Sequence, residues 1–142
     1  MGALIKVIIP AYNEEGSIAS VIKDIPSNID EIIVISNNST DQTEVNAAKA
    51  GATVLKESRK GYGYACLKGM EYISNLEISQ QPEIIVFLDG DYSDYPAQLT
   101  ELVAPIIDDN IDFVIGSRVK ELRETGSMTP QQVFGNWLAT FL

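Results

Sequence analysis

The chain has no histidine, one cysteine and one tryptophan among its 142 residues. The missing histidine excludes His-based acid–base catalysis and His-ligated zinc. Cys66, alone, cannot close an internal disulfide, which fits a reducing, cytoplasmic compartment. With no imidazole to activate it, the thiol reads as packing rather than as a nucleophile. Positive charge is also scarce: 10 Lys and Arg stand against 20 Asp and Glu, a formal net charge of −10. That balance disfavours nucleic acid and anionic membrane as partners, because both are bound by neutralising phosphate with Lys and Arg. Long apolar runs are missing too. The opening "MGALIKVIIP" is broken by Lys6 and stopped by Pro10, so it does not read as a signal peptide. The closing "VFGNWLATFL" is apolar but about half the roughly 20 residues of a membrane span. It stops in mid-pattern, and the chain reads as cut from something longer.

Short apolar runs alternate with helix-period segments, as in βα units of a parallel sheet. One α/β domain over 1–142 is expected, with strands near Ile5–Ile9, Glu31–Ile35, Thr53–Lys56, Ile84–Leu88 and Phe113–Ile115. Ile18, Val21, Ile22 and Ile25 form one helical face that Pro26 ends. Ser39, Thr40 and Asp41 offer caps for a second helix closed by Gly51. Cys66, Leu67, Met70 and Ile73 mark a third helix, and Leu99, Leu102, Val103 and Ile106 a fourth, with Pro96 close to its start and Pro105 near its end. After a polar loop at Arg123–Pro130, "TPQQVFGNWLATFL" reads as a capped amphipathic helix. Its Trp137, Leu138 and Phe141 would cover a missing part of the core or, in the other reading, touch a bilayer interface.

In such sheets ligands bind where the loops gather, at the carboxyl ends of the strands. Polar stretches stand at each of these ends: "PAYNEE", "SNNSTD", "SRKGYG", "DGDYSD" and "GSR". The fourth raises a question of charge. If Asp89 and Asp91 stay extended, both point the same way. At roughly 4 Å two carboxylates repel by about 4 kcal/mol at an effective dielectric near 20. A hard divalent cation, Mg²⁺ or Mn²⁺, would reconcile them with each other and an acidic protein with an anionic ligand. The rival nucleotide signatures fail. There is no G-x-x-x-x-G-K-[ST], and "GYGYAC" lacks a third glycine and follows the third strand rather than the first. Gly61 and Gly63 are expected to turn the backbone into the third helix, with Arg59 or Lys60 reaching a ligand as a second reading.

"VIIPAYNEEGSI", "EIIVISNNSTDQT", "RKGYGYACLKGM", "IIVFLDGDYSDYP" and "DFVIGSR", in that order and spacing, resemble the family 2 inverting glycosyltransferases of the GT-A fold. The nearest branch holds dolichyl-phosphate mannose synthase and related polyprenyl-phosphate glycosyltransferases, and the likeness runs from residue 5 to 118. It implies a mainly parallel sheet flanked by helices, and metal-assisted transfer of a sugar from a UDP- or GDP-linked donor with inversion. Carried over by position, Pro10, Ala11, Tyr12 and Glu14 match the segment that holds the nucleoside, and Asn37 the place of a base-contacting residue. Lys60 and Gly61 match the loop beside base and ribose, Asp89 and Asp91 the metal and diphosphate motif, and Arg118 a basic residue that helps hold phosphate. Asp91 and Arg118 are thereby the catalytic candidates. Ser36 stands where the family usually has Asp, and Ser93 where mannose synthases often have Gln. Family members continue past Leu142 into an acceptor-binding part, so this chain reads as the donor-binding half, with weak turnover or none by itself.

The acceptor implied is a lipid phosphate, already ionised and needing no general base, or a sugar hydroxyl, which needs a carboxylate within about 3 Å. A lipid acceptor would put the full protein at the cytoplasmic face of a membrane. Asp94 is the one nearby base candidate, and helix capping is its expected role. Two other readings compete. A sugar-phosphate nucleotidyltransferase would carry a Gly- and Arg-rich loop after the first strand, where "PAYNEEG" is acidic. A non-catalytic Mg²⁺-binding domain leaves Asn37, Lys60 and Arg118 on the same edge unexplained.

Overall fold

The computed structural model describes residues 2–117. Four strands, β1 (Ile5–Ala11), β2 (Glu31–Ser36), β3 (Thr53–Lys56) and β4 (Ile84–Phe87), form one sheet in the order β3-β2-β1-β4. Every pairing is parallel. The connecting helices are α1 (Ile18–Asp24), α2 (Thr43–Lys49), α3 (Tyr62–Ser74) and α4 (Leu99–Asp108).

All seven residues of β1 are buried, as a central parallel strand covered on both faces must be. Ile5, Val7, Ile9 and Ala11 pack with α1, α2 and α4 through Ile18, Val21, Ala47, Leu99 and Val103. Ile8, Ile33 and Ile35 meet α3 on the other face through Ala65 and Ile73. The α3 stripe differs from the expected one: Leu67 and Met70 are exposed, and Ala65, Gly69 and Ile73 face the sheet. Small residues let the helix lie close. A Cβ on Gly69 would stand 2.7 Å from Ile8 Cγ2, so only glycine fits there. Pro10 lies beyond the last β1–β4 pair, Ile8↔Phe87, and its missing N–H costs the ladder nothing.

The expected strand at Phe113–Ile115 does not form; this stretch is irregular, with Phe113 75% and Ile115 72% exposed. Apolar β-branched and aromatic content favours a strand, but a strand needs a partner, and none is beside it among the described residues. The helix expected over "TPQQVFGNWLATFL", and Arg118, lie outside the described residues.

Register places the strand ends. Ala11, Ser36 and Lys56 stand level across β1, β2 and β3. Phe87 pairs lower, at Ile8, so residues 88–91 climb to the same rim.

Candidate functional site

The loops after β1 and β2 are sewn together. Asn13, at φ 51°, takes Thr40 N–H on its Oδ1 at 2.8 Å, and its own N–H donates to Ser39 Oγ at 3.1 Å. Glu14 N–H donates to Thr43 Oγ1 at 2.8 Å, and Glu15 N–H to Asp41 Oδ2 at 3.2 Å. Asp41 also accepts Thr43 N–H at 2.9 Å, so of the three expected caps it alone holds the start of α2, while Ser39 and Thr40 bind the β1 loop. Pro10 and Ala11 are buried beneath this seam; Tyr12 is 60% exposed above it.

Asn37 builds the third loop. Its Nδ2 donates to Glu57 O at 3.0 Å and to Arg59 O at 2.7 Å, and its Oδ1 accepts Gly61 N–H at 2.9 Å. Both amide hydrogens are therefore committed to the loop, and one lone pair on Oδ1 remains to meet a ligand donor. Glu57, which the sequence did not single out, anchors the loop from inside. It accepts Arg59 N–H at 2.8 Å, and the Arg59 guanidinium grips it at 3.0 and 2.7 Å. Those contacts pull its carboxyl down to about 2. The guanidinium lies over the Tyr64 ring at 4.7 Å, a cation–π contact. Arg59 is thus held on the protein, whereas Lys60 is exposed at the loop's crest. Gly61, at φ 133°, makes the turn into α3.

The acidic stretch after β4 is a turn, not the extended segment expected. Residues 90–91 turn, and Tyr92 sits at φ 63°. Simple alternation therefore does not align Asp89 with Asp91. Asp91 Oδ1 accepts Ser93 N–H at 2.9 Å, and Asp94 Oδ2 faces Asp89 N–H at 3.4 Å. The N-cap residues of the 3-10 turn at Pro96–Gln98 and of α4, Tyr95 and Gln98, make no side-chain cap bond. The Asp94 carboxylate reaches back to the acidic turn. Ser17 Oγ donates to Gly90 O at 2.7 Å, and Tyr92 OH donates to Asp24.

Electrostatics show which groups share this space. Burial, then the charges of Asp91, Asp41 and Asp89, push the Glu14 carboxyl up, against a hydrogen bond from Ser17. Burial, followed by the charge of Asp89, raises Tyr62 to about 12. Burial likewise raises Cys66, with Asp89 adding to it, so the thiol stays protonated and fits the packing reading. Glu14, Asp89, Asp91 and Tyr62 are thus neighbours at one rim, next to the Asn37–Gly61 loop. Glu57, Thr43, Tyr62 and Ser17 were missed. Glu57-x-Arg59 is a local signal that charge pairing offered, but nothing local announces a Ser17 contact 73 residues away.

The donor set suits a hard divalent cation. Asp89 and Asp91 offer carboxylate oxygens beside a third carboxyl that their charge already disturbs. Mg²⁺ and Mn²⁺ take few protein ligands when phosphate and water complete the shell. No group of three or more His, Cys, Asp or Glu arranged to hold a metal is present among the described residues. A bound cation would therefore rely on its ligand for the rest of the shell.

A parallel α/β sheet with this rim is of the GT-A class, and solved structures share it. Glucosyl-3-phosphoglycerate synthase of Mycobacterium tuberculosis, crystallised with Mn²⁺ and UDP, is 32% identical at a TM-score of 0.62 over 75% of this chain and 40% of its own. The same enzyme has also been crystallised with Mg²⁺ and UDP. The chain belongs to glycosyl transferase family 2, whose profile matches residues 6–141. Protein RfbJ of Shigella flexneri is 36% identical over 116 residues, 80% of this chain and 84% of that protein. The UDP-N-acetylglucosamine–dolichyl-phosphate N-acetylglucosaminyltransferase of Methanococcus voltae is 29% identical over 98% of this chain and 61% of its own length. The chain thus spans less than two thirds of that transferase and 40% of the mycobacterial synthase.

Proposed function

We propose that this chain holds the nucleotide-diphosphate sugar donor of a metal-dependent inverting glycosyltransferase. The observation that carries the reading is the acidic turn after β4, raised to the same rim as the β1, β2 and β3 loops and close enough to Glu14 to disturb its carboxyl. The UDP complexes of the mycobacterial synthase and the UDP-N-acetylglucosamine donor of the M. voltae relative support a UDP-linked donor over a GDP-linked one.

In this reading Pro10, Ala11, Tyr12 and Glu14 bound the nucleoside, and Asn37 turns its remaining lone pair on Oδ1 toward a base N–H. Lys60 and Gly61 flank base and ribose. Asp89 and Asp91 hold Mg²⁺ or Mn²⁺ against the diphosphate, and Arg118 adds positive charge to the phosphates. The cation, when bound, offsets charge on the departing nucleoside diphosphate. The protein's part is orientation: the sewn loops present the anomeric carbon to the acceptor for one in-line displacement. The dolichyl-phosphate acceptor of the M. voltae relative makes a polyprenyl phosphate the acceptor class to test first. Such an acceptor needs no general base and places the full protein at the cytoplasmic face of a membrane.

Calorimetric titration of the full-length protein with UDP, GDP and their sugar derivatives, with and without Mn²⁺, tests this. Tight UDP binding that EDTA removes is expected. Binding indifferent to the cation, or absent for both nucleotides, overturns it.

A further inference from the structure

Ser17 is the N-cap residue of α1, where a serine hydroxyl ordinarily accepts a hydrogen bond from a helix N–H. Here it makes no cap bond. Its single proton has three acceptors in range: Gly90 O at 2.7 Å, Glu14 Oε2 at 3.3 Å and Glu14 O at 3.4 Å. The shortest contact is to the carbonyl between Asp89 and Asp91, with the Glu14 carboxylate a longer second acceptor. About two helical turns further along α1, Asp24 accepts the hydroxyl of Tyr92, two residues beyond Gly90 in the same turn. Tyr92 has φ 63°, a backbone conformation that a bulky residue keeps only when its surroundings impose it. Gly90 itself is wedged: a Cβ there would touch Ile18 and Ile9 at 3.4 Å. A cleft of about 460 Å³ lies between α1 and the turn, lined by Gly16, Ser17, Ser20, Lys23, Asp24 and Tyr92. Beyond the close approach of Gly90 to Ile18, the Ser17–Gly90 and Tyr92–Asp24 hydrogen bonds span this side of the turn.

We infer that Ser17 and the Asp24–Tyr92 pair are positioning residues, fastening the acidic turn to α1 at both ends so that Asp89 and Asp91 meet the cation and diphosphate in a fixed geometry. The inference rests on the proposed function for the identity of what the turn meets, and on geometry alone for the fastening.

The test measures UDP affinity of the full-length protein across a Mn²⁺ titration, for the parent and for Ser17→Ala, Tyr92→Phe and the double variant. Loss of one hydrogen bond should weaken the Mn²⁺-dependent affinity about three- to tenfold, and the double variant further. Metal-free UDP binding should not change, because the nucleoside contacts lie on the β1–β3 loops. Ser17→Thr, which keeps the hydroxyl, should restore the parent's behaviour. Amide hydrogen exchange at Gly90–Ser93 should quicken in Tyr92→Phe, whatever ligand the site takes. Tyr92→Phe deletes no packing, so it carries the test if Ser17→Ala fails to fold. Variants that lose thermal stability but keep the parent's Mn²⁺-dependent gain and exchange rates overturn the fastening. Quickened exchange with a parent that shows no Mn²⁺-dependent gain at all confirms the fastening and overturns the proposed function instead.

Discussion

Glu57 has a side chain only 6% exposed and a negative charge, an arrangement that burial alone would not tolerate. Arg59 makes it tolerable, first by its guanidinium and then by its backbone N–H, and the carboxyl falls from an ordinary 4.5 to about 2. A depressed carboxyl contributes stability that is complete above the unfolded value and lost as pH falls through the folded one. Glu57→Gln should therefore be less stable than the parent at pH 7, with the gap narrowing from about pH 4.5 down to about 2 and closing below. Urea denaturation of both proteins at pH 7, 4 and 2 measures it; a constant gap contradicts the pairing. Asp91→Asn acts on the opposite kind of charge. It relieves repulsion at an exposed turn without opening a cavity, so metal-free stability should hold or rise slightly. Metal-dependent UDP binding should vanish, and the Glu14 carboxyl should titrate lower by NMR once one of its repulsive neighbours is gone. At this scale the sequence showed which residues gather but not what each one does. Asn37 was readable as a rim residue, yet its two donors bind Glu57 and Arg59, contacts 20 and 22 residues away that no local pattern encodes.

Elements were legible wherever one period dominated. Four strands fall within two residues of where alternation and β-branching put them, and α1 stops at the proline that was expected to stop it. Two elements escaped, for different reasons. The run at Phe113–Ile115 has strand composition but no neighbouring strand, and pairing is decided by the fold rather than by the run. The face of α3 was misjudged because apolarity ranked Leu67 and Met70 above Ala65 and Gly69, when closeness to β1 selects small residues. Gly69→Ala tests that explanation. Helix propensity alone favours Ala by about 1 kcal/mol. The new methyl, however, would meet Ile8 at 2.7, 2.9 and 3.1 Å, and Ile8 is fully buried with nowhere to go. Overpacking of this kind costs about 1–3 kcal/mol, so the net change should be destabilising by up to about 2 kcal/mol. A stabilised Gly69→Ala protein in thermal denaturation would mean that α3 does not lie this close.

Across the whole molecule, cover is uneven. β1 is sealed on both faces, but β4 alternates: Ile84 and Val86 are buried, Ile85 is 37% and Phe87 43% exposed. β4 is also the end of the sheet, with one side of its backbone unpaired among the described residues. Near the end of the described chain, Phe113 and Ile115 add further exposed apolar surface. An open, apolar edge strand is a template for pairing with another chain. The net charge of −10 opposes association at low ionic strength, and salt screens that repulsion within about 10 Å at 0.1 M. A polypeptide comprising residues 1–117 should accordingly self-associate more as salt is raised, measured by sedimentation velocity. Replacing Ile85 and Phe87 by Lys should abolish the association and leave the thermal midpoint nearly unchanged, because both side chains are exposed and belong to neither buried core cluster. Association that persists in the doubly substituted chain would move the sticky surface off β4, to Phe113 and Ile115; a collapse in midpoint would mean that these two side chains are core after all.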